Sequence, residues 1–118
     1  MISGGMSVEL FEKYYNELNK HKEIDEDAKS LWNSLIEAAI EYTNIRAKWS
    51  LMANEERSNN DSLRTKLHNS FINRLNIYMR YVGEQGINLL SNELASQDRK
   101  KVGDFANFVV FKVAVENR

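Results

Sequence analysis

The sequence predicts an all-α protein, an up-and-down four-helix bundle with a short extra helical segment before the last helix. Three observations predict it. The 118 residues contain no proline and five glycines, four of them near the start or in one loop, so long helices can run uninterrupted. Leu31, Leu35, Ala38, Tyr42, Ile45, Trp49 and Met52 recur at alternating spacings of four and three, the seam of a bundle helix. Between Phe105 and Val115 only Asn107 and Lys112 are polar, so the last helix is apolar on nearly every side.

The main helices are expected at about 7–20, 25–57, 61–82 and 98–117. The first follows a disordered leader, residues 1–6, and residues 7–118 form a single domain. Ser7 is its N-cap, and Val8, Phe11, Tyr15 and Leu18 form its inward stripe, flanked by Leu10 and Tyr14. His21-Lys22-Glu23-Ile24 is a short link. The second helix opens on the acidic turn Asp25-Glu26-Asp27, which the helix dipole favours, and Trp32, Ala39 and Ile40 widen its seam enough to touch two neighbours. Arg57-Ser58-Asn59-Asn60-Asp61 reads as a turn, with Asn60 or Asp61 capping the third helix. The third seam is Leu67 or His68, Phe71, Leu75, Tyr78 and Val82, flanked by Leu63, Ile72 and Met79. Residues 87–95 supply the short extra segment, and Ser96 or Asp98 caps the last helix. In that helix Val102, Phe105, Ala106, Val109, Val110 and Val113 share one face, while Phe108, Phe111 and Val115 form a second stripe nearly opposite. Such a helix is either the central element of the bundle or is covered on one face by another chain.

Composition narrows the function classes. Sixteen basic residues face seventeen acidic ones, a net charge of −1, and the one dense basic run is Arg99-Lys100-Lys101, so nucleic acid is not an expected partner. Without cysteine there is no disulfide, thiolate metal site or cysteine nucleophile, which suits a reducing cytoplasm. No stretch approaches the roughly 20 apolar residues of a membrane span, and no secretion signal opens the chain. The two histidines, His21 and His68, fall on separate helices, and Glu37-Glu41 and Glu55-Glu56 lack the Glu-x-x-His spacing of di-iron bundles, so neither a metal nor a cofactor is expected. No phosphate-cradling glycine loop follows Gly83 or Gly86.

One irregularity carries chemistry. Extended backwards from Phe71, the third seam meets His68 and then Arg64, four residues apart on one inward face. A buried guanidinium needs a carboxylate or an open bundle end, and Asp104 and Glu56 are the candidate partners. RTKLHN at 64–69 is similar to the Arg-spacer-His signature of the HEPN superfamily, helical bundles many of whose members cut RNA as dimers. That resemblance implies a metal-independent ribonuclease, with His68 moving the 2′-hydroxyl proton and Arg64 holding phosphate charge. The match departs from the family in its shorter spacer and in not lying on the last helix.

Over RTKLHNSFINRLNIYMRYVGEQG and DRKKVGDFANFVVFKVAVENR, which hold Arg64, His68, Asp104 and the closing Glu116-Asn117-Arg118, the chain also resembles a small uncharacterised family, the Lin2004-like domain of unknown function. That resemblance implies a bacterial four-helix bundle and brings no activity. The expected function is therefore protein–protein contact without catalysis. The partner is a second copy of the chain, forming a homodimer through Phe108, Phe111 and Val115. The ribonuclease using Arg64 and His68 is the alternative, and an immunity or antitoxin-type protein a third.

Overall fold

The computed structural model describes residues 8–83 and 99–117, and they form an all-α helical bundle. Its elements are α1 (Val8–Lys20), a 3₁₀ turn (His21–Glu23), α2 (Glu26–Trp49), α3 (Asn54–Gly83) and α4 (Arg99–Glu116). Among the described residues there is no strand. The leader 1–6, the Ser7 and Ser96 or Asp98 caps and the segment 87–95 lie outside the described residues.

Asp25 ends the link and starts α2. Its backbone is extended, and its carboxylate accepts the Ala28 N–H at 2.8 Å, which makes it the N-cap rather than the first helical residue. The hairpin that follows is where the sequence misleads. Arg57–Asp61 is no turn; it lies inside α3, and neither Asn60 nor Asp61 is a cap. The chain reverses at Ser50–Ala53, which contains neither glycine nor proline. Side chains from both sides of the reversal make it possible. The Leu51 and Met52 amides bond three residues back, to Lys48 and Trp49, tightening the end of α2. Arg57 donates its Nε–H to the Trp49 carbonyl at 3.0 Å, and Glu56 accepts the Ala53 N–H at 3.3 Å, one half of a capping box. Within α3, Ser58 and Asn59 point to solvent and Asn60 bonds the Glu56 carbonyl, so their polarity marks an outer face.

The α2–α3 hairpin is antiparallel. Tyr42 meets Phe71 and His68, Trp32 meets Tyr78, and Arg74 reaches the Ser34 carbonyl and hydroxyl at 3.3 and 3.0 Å. On its other side α2 runs antiparallel to α4: Arg46 lies beside Gly103 and Asp104, while Asn33 and Ile36 line a cavity with Val113 and Glu116. Direction thus alternates through α1, α2 and α3, and α4 runs in the sense of α3. α1 closes the bundle over α4, with Phe11 against Phe105 and Phe108 and Tyr15 bonded to Glu116.

The expected seams form the core. Buried are Phe11, Tyr14, Tyr15 and Leu18; Trp32, Leu35, Ala38, Ala39, Tyr42 and Ile45; Phe71, Leu75, Tyr78 and Val82; and Val102, Phe105, Ala106 and Val109. Ile40 and Leu63, expected to widen or flank the seams, are exposed, and Trp49 and Met52 are half-buried because α2 ends there. The central element is α2, not the last helix: it packs against α3, α4 and the 3₁₀ turn, whereas α4 keeps Phe111 and Val115 in solvent. Two buried phenols join the helices. Tyr78 donates to the Leu18 carbonyl in the last turn of α1, and Tyr15 donates to Glu116 at 2.7 Å. Burial pushes both hydroxyls well above the ordinary tyrosine range, with the Glu116 carboxylate adding to the effect at Tyr15.

The Asp25 cap makes stability depend on acid. The Tyr81 hydroxyl, and after it the Ala28 amide, hold its carboxyl below the usual range. A lowered native value means that the contribution is complete above the ordinary carboxylate value, about 4, and is lost as pH falls through the lowered one. At neutral pH Asp25→Asn is expected to melt below the native chain. The gap should narrow as the pH is taken from about 5 to about 2, which thermal melts across that range check.

Candidate functional site

The seam residues singled out in the sequence do lie at one end of the hairpin, but their side chains part. His68 is 5 % exposed, its ring edge-on to Tyr42 with centroids 5.4 Å apart and its Nδ1 3.1 Å from the Asn69 side-chain oxygen. Arg64 turns to Trp49 instead. Its guanidinium lies over the Trp49 ring, 4.4 Å from the centroid, and approaches Asp61 at 3.8 Å. Neither carboxylate expected for Arg64 is its partner: Asp104 lies 4.0 Å from Arg46, and Glu56 is spent on the start of α3. In this arrangement the imidazole lies in the core against Tyr42 and the guanidinium lies partly buried against Trp49.

Around Arg64 stands a group of residues that the sequence did not bring together. Arg46, Trp49, Ser50, Arg57 and Arg64 line an open recess of about 260 Å³ at the tip of the hairpin. Trp49 organises it. Arg64 covers its ring, Arg57 stands 6.0 Å from its centroid, and Arg57 also bonds its carbonyl. A cation over an indole gains about 0.5–2 kcal/mol, the more as it is desolvated, and that fixes long side chains that would otherwise sample many rotamers. Arg57 and Arg64 are seven apart, two turns along one face of α3. The signal was present, but a turn placed at 57–61 put the two on different elements.

Arg46 is held from the far side by α4. It stands 5.8 Å from the Tyr42 ring, and its guanidinium crosses the α4 backbone at Gly103. A β-carbon on Gly103 would stand 2.3 Å from the Arg46 Cζ, so the missing side chain provides the channel along which the arginine passes.

The second stripe of α4 divides. Phe108 is half-buried, its ring 5.7 Å from Phe11 and 6.3 Å from Tyr15. Phe111 and Val115, one turn apart, are 62 % and 41 % exposed. On its α1 side this face is bordered by Lys112, which reaches Glu12 at 3.4 Å and stands over Tyr15. Among the described residues no group of three or more His, Cys, Asp or Glu is placed to hold a metal ion, and no helix is long and apolar enough to cross a membrane.

Comparison with models of known protein families, with curated proteins and with solved structures finds no match to this chain. The site therefore rests on its own geometry.

Gly103 and Arg46 should be coupled. In the native chain Gly103→Ala gains helix propensity but displaces Arg46, so its net effect is expected to fall short of the roughly 1 kcal/mol that alanine gains over glycine. In an Arg46→Ala background the full gain of about 1 kcal/mol should appear. Urea unfolding of the four chains measures the difference.

Proposed function

We propose that this protein acts by protein–protein contact, without catalysis of its own, and that its partner is a second copy of the chain. The observation that carries this reading is the outward face of α4, where Phe111 and Val115 stand in solvent while Val102, Phe105, Ala106 and Val109 of the same helix are built into the core. A large aromatic exposed at helical spacing from a second apolar residue forms a stripe that another chain can cover. The charged groups beside the face do not oppose such a contact, because Lys112 is engaged with Glu12 and Asp104 with Arg46. Two copies meeting across a two-fold axis present the same stripe to each other, as an isologous contact requires.

The expected affinity is low. Covering what remains exposed of the two side chains on both copies contributes on the order of 8 kcal/mol at about 25 cal/mol per Å², and association costs of about 4–15 kcal/mol offset most of it. At the lowest of these costs about 4 kcal/mol remains, a dissociation constant of about 1 mM, in keeping with a transient contact. The absence of cysteine suits a reducing cytoplasm as the setting.

Sedimentation velocity over a concentration series reaching about 1 mM tests it. The native chain is expected to gain apparent mass with concentration, and Phe111→Asp to remain monomeric with unchanged helicity. A native chain that stays monomeric throughout, or a variant that associates equally well, would reject the contact.

A further inference from the structure

The recess at the hairpin tip plays no part in association through α4, and its chemistry points elsewhere. Three arginines, Arg46, Arg57 and Arg64, line one open space of about 260 Å³. Two carboxylates stand near them, and neither is at hydrogen-bond distance from the arginine it faces: Asp104 is 4.0 Å from the Arg46 Nη2 and Asp61, itself mostly exposed, is 3.8 Å from the Arg64 Nη2. Arg57 spends its Nε–H on the Trp49 carbonyl. The Nε of Arg64 is buried and makes no hydrogen bond among the described residues. Cation charge therefore exceeds anion charge at the recess, and the arginines are fixed by stacking on Trp49 and Tyr42 and by passage over Gly103 rather than by tight ion pairs.

We propose that this recess is a binding site for a phosphate group carried by a small molecule. A guanidinium presents its N–H groups as a planar fork, which matches two oxygens of a tetrahedral anion. A phosphate monoester or pyrophosphate has enough terminal oxygens to engage several forks at once. A carboxylate has two and would satisfy one. The aromatic backing matters as much as the charge. Held over Trp49, Arg57 and Arg64 lose less freedom on binding than free surface arginines would, and partial burial strengthens each contact relative to water. No part of this site is shared with Phe111 or Val115.

The test is an NMR titration of the full chain with pyrophosphate at constant ionic strength, read at the Trp49 indole N–H and the arginine Nε–H signals. The indole of Trp32, buried in the core, is the internal reference. The expected result is a saturable shift in the millimolar range or below, confined to Trp49 and the three arginines. Inorganic phosphate should shift the same signals, and acetate should give no saturable change. Arg57→Gln and Arg64→Gln should each weaken binding about tenfold, the loss of one charge-assisted contact. Arg64→Lys, which keeps the charge but loses the fork, should weaken it as well. Lys29→Gln, a charge removed elsewhere, should leave it unchanged. An unmoved Trp32 signal shows that each variant is folded. Absence of saturation, equal binding of acetate, or equal losses in Lys29→Gln and the arginine variants would overturn the proposal.

Discussion

The structure depends on the burial of α2 on more than one side. Its seam is wide: Trp32, Leu35, Ala38, Ala39, Tyr42 and Ile45 are all inside, and two adjacent alanines let neighbouring helices approach closely. A helix with so broad an apolar surface cannot be satisfied by one partner. It takes α3 along one side and α4 along the other, and α1 then fits across the opening. Each large side chain so covered contributes about 1.5–3 kcal/mol, which is the scale against which the ordering of the chain must be set.

Aromatic residues give this packing its specificity. Trp32 lies between Tyr15 and Tyr78, at 5.8 and 5.3 Å between centroids, so one indole touches both α1 and α3. The hydroxyls of those two tyrosines then settle how α1 sits. Tyr78 satisfies a carbonyl at the end of α1, and Tyr15 reaches the end of α4. A buried phenol without a partner costs about 1–3 kcal/mol, so a slipped register would be penalised twice. At the other end of the hairpin, His68 extends the same aromatic layer by standing edge-on to Tyr42.

Legibility from sequence followed the physical origin of each feature. The seams of α2 and α3 were readable because burial imposes a spacing of three and four, and Leu35, Tyr42, Phe71 and Tyr78 obey it. The hairpin turn was not readable, because Ser50–Ala53 carries no turn residue and is stabilised by Arg57 and Glu56 reaching back from the next helix. Placing the turn at the polar run instead divided α3 and hid the shared face of Arg57 and Arg64. The exposure of Phe111 was half legible: the second stripe of α4 could be seen, but only the position of α1 decides that Phe108 is covered and Phe111 is not.

The two surfaces left over from folding lie apart, one apolar on α4 and one cationic at the hairpin tip, and both are set by where α2 directs its neighbours. Native-state hydrogen exchange tests that dependence most directly. If α2 is the element on which the others pack, the slowest amides lie in Leu35–Tyr42 and Phe71–Tyr78 and exchange only through global unfolding, while those of Phe111–Val115 open earlier. Amides of α4 that outlast those of α2, or α2 opening in an early partial step, would contradict the account.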